Sequence, residues 1–218
     1  MEELRIPAGE EEVHALLEMP AGAEWLYVLA HGAGAGMRHR FMEDISLRLA
    51  EEGIATLRYE YPYVTRGSRR PDPGPKNEAC TRRVVTWAAQ VWPELRIAAG
   101  GKSMGGRMTS QAQAKEPLPR VEALVFLGFP LHPAGAPAVT RAEHLRDVSI
   151  PMLFLQGTRD TLAELSLLEP VLLELPPATL HIVEHADHGF DVLKRSGRMG
   201  ADVLRELGTA VSAFLGSL

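Results

Sequence analysis

A serine framed by glycines, between an apolar run and a helical run, constrains this chain more than any other feature. Arg96 to Met108 reads Arg-Ile-Ala-Ala-Gly-Gly-Lys-Ser-Met-Gly-Gly-Arg-Met. Ile97 to Ala99 has the character of a short buried strand, Gly101, Ser103 and Gly105 spell G-x-S-x-G, and a helical pattern follows through Ala112 and Ala114. Strand, sharp turn and helix in that order hold a serine in a strained conformation, and only small neighbours let the backbone pass so closely. Helix amides beyond the serine can then donate to a developing oxyanion. A glycine-rich turn with an idle serine gives the same string, so the rest of the chain has to decide. Gly101-Lys102-Ser103 also ends like a phosphate loop, but Arg96 stands where such a loop needs its first glycine.

Strands and helices alternate along the sequence. Val13 to Glu18, Trp25 to Ala30, Ile54 to Tyr59, Ala123 to Gly128, Pro151 to Gln156 and Thr179 to Val183 read as strands, with a short one at Leu4 to Ile6. The run from Trp25 is apolar almost throughout, as a strand buried on both faces must be. His39 to Glu52, Glu78 to Val91, Arg141 to Leu145, Leu162 to Leu175 and Ala201 to Leu215 read as helices. Tyr61 to Lys76 is the one long irregular stretch, carrying Arg66, Arg69 and Arg70 beside Tyr61 and Tyr63. The expectation is an α/β fold of one domain, residues 1–218. It has a mostly parallel central sheet, helices on both faces and no separate cap.

In such a sheet ligands sit at the carboxyl ends of the strands. Ser103 follows one such end. Asp160 follows another, in Gln156-Gly-Thr-Arg-Asp160, and His188 follows the last, in Asp187-His-Gly-Phe190. An aspartate there can orient a histidine, or it can merely cap the helix that begins near Leu162. His185 competes with His188. The sequence favours His188, because Gly189 beside it allows tight backbone near the serine. His181, Glu184 and His185 also match an inverted zinc motif, but that motif requires a helix. On a strand its two histidines would stand roughly 13 Å apart, so no metal is expected.

Ala30-His-Gly-Ala-Gly-Ala-Gly36 lacks the later small residue of a dinucleotide fingerprint. It suits the second half of an oxyanion hole, in which the amide of Ala33, with Gly32 as the alternative, complements the amide of Met104.

Taken together, these pieces resemble the α/β-hydrolase superfamily, and within it the small dienelactone-hydrolase-like branch. The stretches that carry the resemblance are His31 to Met37, Arg58 to Tyr63, Gly100 to Arg107, Phe129 to Pro133, Gln156 to Asp160 and Asp187 to Phe190. They look like the hydrolase-like domain in a subunit of the NSL histone-acetyltransferase complex and in bacterial relatives. The resemblance implies a triad of Ser103, Asp160 and His188. The elbow carries serine where dienelactone hydrolase itself uses cysteine, which argues against that substrate.

The implied function is a serine hydrolase acting on a small ester or thioester acyl substrate, with no cofactor. The alternative is a non-catalytic hydrolase-like binding or scaffold module. A net charge of -5 with scattered basic residues leaves no footprint for nucleic acid. Cys80 is the only cysteine, which excludes an internal disulfide and fits a reducing cytoplasm. Met1 to Glu12 is glutamate-rich with no apolar run, so neither a secretory leader nor a membrane span is expected. Monomer and homodimer both remain open.

Overall fold

The computed structural model describes residues 1–8, 11–175 and 177–218. Among these the sheet has eight strands: β1 (Glu2–Ala8), β2 (Glu11–Glu18), β3 (Trp25–Ala30), β4 (Ala55–Tyr59), β5 (Arg96–Lys102), β6 (Val121–Leu127), β7 (Met152–Gly157) and β8 (Ala178–Val183). Their order across the sheet is β1-β2-β4-β3-β5-β6-β7-β8. The hairpin β1–β2 and the β2–β4 pair are antiparallel, and every pair from β4 to β8 is parallel.

Side-chain alternation along the buried strands builds two cores. Leu26, Val28 and Ala30 of β3 face one, while Trp25, Tyr27 and Leu29 face the other. Helices α3 (Gly74–Val91), α4 (Met104–Lys115) and α5 (Leu165–Leu173) close the first core, through residues such as Val84, Met108 and Leu168. Helices α1 (Arg40–Glu51) and α6 (Gly200–Gly216) close the second, through Ile45, Leu49, Leu207 and Val211. The helix after β3 and the helix after β5 therefore lie on opposite faces, although those strands are neighbours. Their carboxyl ends form the crevice where an open parallel sheet accepts ligands.

Two expectations need correction. The stretch from Tyr61 to Lys76 is not irregular throughout: Pro62–Thr65 forms a short helix, α2, and α3 already begins at Gly74. Proline at the first helical turn removes no intrahelical bond, so the prolines here mark helix starts. The leading strand is also longer than its apolar core suggests, because its polar outer residues pair with β2 all the same. Between β6 and β7 the chain builds only a 3-10 helix, Thr140–Asp147, and no separate cap covers the strand ends. Among the described residues no helix is long and apolar enough to cross a membrane.

Candidate active site

β5 hands its chain to α4 through Ser103, which holds φ 50° and ψ -115°, a conformation that costs a non-glycine residue free energy. The glycines around it are there for lack of space. A Cβ on Gly101 would stand 2.2 Å from the Ala30 carbonyl oxygen, and one on Gly105 would stand 2.5 Å from the same atom. The serine is thus pressed out over the end of β3.

Asp160 lies beyond the end of β7, 3% exposed. Its Oδ1 accepts from the Leu162 amide at 2.8 Å, closing a local turn, while α5 begins only at Leu165 after Glu164, so the aspartate does not cap the helix expected near Leu162. Its Oδ2 is free for a second role, meeting His188 Nδ1 at 2.7 Å and accepting from Gln156 Nε2 at 2.5 Å. On the other side of the ring, His188 Nε2 stands 2.8 Å from Ser103 Oγ. A carboxylate can only accept, so Nδ1 carries the proton and Nε2 keeps its lone pair toward the serine hydroxyl. Ser103, His188 and Asp160 are therefore joined in one hydrogen-bonded chain.

His185 is exposed, and its backbone turns at φ 65° with the amide donating to Thr158 Oγ1 at 2.8 Å. It takes no part in that chain. His181 is on β8 and bonds Glu206. The reason for preferring His188 needs correction. A Cβ on Gly189 would meet only carboxylate oxygens, Asp187 Oδ1 at 3.3 Å and Asp191 Oδ2 at 3.5 Å. Gly128, just past β6, lies beside the imidazole and turns at φ 71°, a left-handed conformation that favours glycine, and a Cβ there would crowd Lys102 Nζ at 3.1 Å.

The His31 loop runs beside the serine, with the Cβ position of Gly32 3.8 Å from Ser103 Cβ. His31 is fully buried. Its Nε2 accepts from the Tyr61 amide at 3.2 Å, so Nδ1 must donate to the Gly32 carbonyl, 2.7 Å away. Burial pushes its pKa down to about 4, so the ring is neutral as that pattern requires. In a planar trans peptide the N–H points opposite to the C=O, so fixing Gly32 C=O toward the ring aims the Ala33 N–H away from it. The next two amides are committed, Gly34 to Tyr63 Oη and Ala35 to Gly32 O. Met104 opens α4, where no turn of its own helix can use its N–H.

Two residues of the site escaped the sequence reading. Gln156 bridges Asp160 Oδ2 and the Phe129 amide, and a fully buried amide near a strand end was its only signal. Lys102, hidden inside the glycine motif, donates to the backbone carbonyl of His188.

Residues 23–216 match the family model described as "Alpha/beta hydrolase domain". The chain belongs to this α/β hydrolase family. Among solved structures it is similar to a dienelactone hydrolase from Anabaena variabilis, with 22% identity, a TM-score of 0.79, and coverage of 99% of this chain and 97% of that one. An α/β serine hydrolase without lid from Xanthomonas campestris is 20% identical with a TM-score of 0.75, over 96% of this chain and 93% of that one. Est1E from Butyrivibrio proteoclasticus is 18% identical with a TM-score of 0.73, over 98% and 99% respectively. At such identities the likeness concerns the fold, and for this α/β hydrolase the chemistry has to be argued from its own residues.

Proposed function

We propose that this α/β hydrolase is a serine hydrolase that cleaves small ester or thioester acyl substrates through an acyl-enzyme. The observation that carries the reading is the unbroken chain Ser103 Oγ to His188 Nε2 to Asp160 Oδ2. In this reading Ser103 Oγ bonds to the substrate carbonyl carbon as its proton passes to His188 Nε2. Asp160 holds the tautomer and stabilises the imidazolium. The amides of Met104 and Ala33 receive the oxyanion, each worth about 3 kcal/mol. The tetrahedral species collapses, and the leaving group departs with the proton from Nε2. Water, deprotonated by the same nitrogen, then releases the acid and frees the serine.

A fluorophosphonate probe tests this directly. Labelling at Ser103 alone, blocked in Ser103→Ala and strongly reduced in His188→Ala, is the expected result. An unlabelled wild-type protein that hydrolyses no short ester would leave a binding module on a hydrolase fold.

A further inference from the structure

Arg107 has no place in the chemistry above. Its amide donates to Ser103 O at 3.2 Å, so it stands one helical turn, about 5.4 Å, beyond the serine. The side chain is partly buried, and its Nε is shielded from solvent with no acceptor among the described residues. The carboxylate whose field reaches it, Glu78, is already bonded to Lys115.

A second arginine, Arg141, lies within its electrostatic reach. His144, in the 3-10 helix, meets Ser110 Oγ at 2.7 Å, and Ser110 Oγ also donates to Arg107 O at 3.0 Å. Residues three apart lie one above the other in both kinds of helix. Arg141 stands one turn before His144 on the 3-10 helix, and Arg107 one turn before Ser110 on α4. The two guanidinium groups are close enough that Arg141 lowers the pKa of Arg107, and burial lowers both. Tyr61 also lies within electrostatic reach of Arg107, and its ring meets that of His31 edge-on at 5.1 Å. The cations therefore stand between the wall behind the His31 loop and the 3-10 helix, at the serine end of α4. Gathering two like charges in a half-buried place is unfavourable unless an anion joins them.

We infer that Arg107, with Arg141 beside it, binds a carboxylate on the substrate of Ser103. The enzyme then prefers acyl esters carrying that carboxylate within a few bonds of the scissile carbonyl. A guanidinium fork matches two carboxylate oxygens, and partial burial strengthens the pair relative to water. This rests on the reading of Ser103 as nucleophile.

The test compares kcat/KM for the mono-4-nitrophenyl ester of glutaric acid with that for 4-nitrophenyl valerate, a neutral ester of matching length. Wild type should favour the anionic ester. The ratio should fall at least about tenfold in Arg107→Gln, recover in part in Arg107→Lys, and fall less in Arg141→Gln. A ratio unchanged in Arg107→Gln, or a wild type that prefers the valerate ester, overturns the inference. Should Arg107→Gln fail to fold by circular dichroism, Arg107→Lys and Arg141→Gln carry the comparison. Calorimetry with glutarate separates this result from the fate of the nucleophile. Binding to wild type and to Ser103→Ala, lost in Arg107→Gln, supports the site even if no ester is turned over. No binding to wild type at about 10 mM glutarate overturns it.

Discussion

Lys102 Nζ donates to the backbone carbonyl of His188 at 2.5 Å, tying the residue before the serine to the loop that presents the imidazole. The same nitrogen lies 5.3 Å from the ring centre of Phe190 and 5.8 Å from that of Phe41. Burial pushes its pKa from 10.5 down to about 8, against the opposing pull of Asp160 and Asp187.

That lysine makes stability depend on pH in a definite direction. Between pH 8 and 10.5 the unfolded chain holds a proton that the folded chain has lost, so folding gains as pH rises through this window. Lys102→Met lacks the linkage. Urea unfolding at pH 7 and again at pH 10 should show wild type gaining on the variant by on the order of 1–3 kcal/mol. A constant difference would mean that the lysine titrates as it does in water.

Ser103 stores backbone strain. At φ 50° and ψ -115° it carries a cost on the order of 1–3 kcal/mol, which alanine keeps and glycine relieves. Ser103→Gly and Ser103→Ala should both be inactive, with the glycine variant melting higher by roughly 2–4 °C per kcal/mol recovered. Equal melting temperatures would show that the turn is not strained.

Acid should unfold the protein through one buried and one half-buried imidazole. His31 and His144 are each held down to about 4, chiefly by burial, with Arg107 adding to the effect at His144. In the unfolded chain both return toward 6.5, so unfolding near pH 5 takes up protons and stability falls as pH drops from 6.5 to 4. His144→Gln should remove about one proton from that uptake, read as a shallower slope of unfolding free energy against pH. An unchanged slope would mean that His144 is already protonated in the fold.

The sequence carried the parts of this molecule that depend on local pattern. β3 is a run of apolar residues buried on both faces, and the glycines about Ser103 answer to backbone atoms of neighbouring strands. Spacing at the strand ends singled out Asp160 and His188, which the structure brings into one hydrogen-bonded chain with Ser103. What stayed hidden depends on contacts between distant residues. Nothing near His188 in the chain announces that Gly128, sixty residues earlier, lies beside it, or that Lys102 holds its carbonyl. The helix start at Gly74 was masked by Pro73 and Pro75, residues that read as loop but suit a first helical turn.

The substrate's length follows from what stands above the strand ends. Hydrolases that enclose long chains need walls, and here the interval between β6 and β7 supplies one 3-10 helix. The other cover is the segment after β4, whose Arg69 carbonyl lies 3.2 Å from the Cβ position of Gly34 in the His31 loop. Its reach is short, because Arg66 is held by both oxygens of Asp72 at 2.9 and 2.7 Å, and Ser68 Oγ folds the turn back on Arg70. An open site buries little of a long acyl chain, so added methylenes contribute little binding free energy. For neutral 4-nitrophenyl esters kcat/KM should stay flat or fall from acetate through octanoate. A steady rise across that series, at the roughly threefold to fourfold per methylene that full burial would give, would mean a deep apolar channel and would defeat the argument.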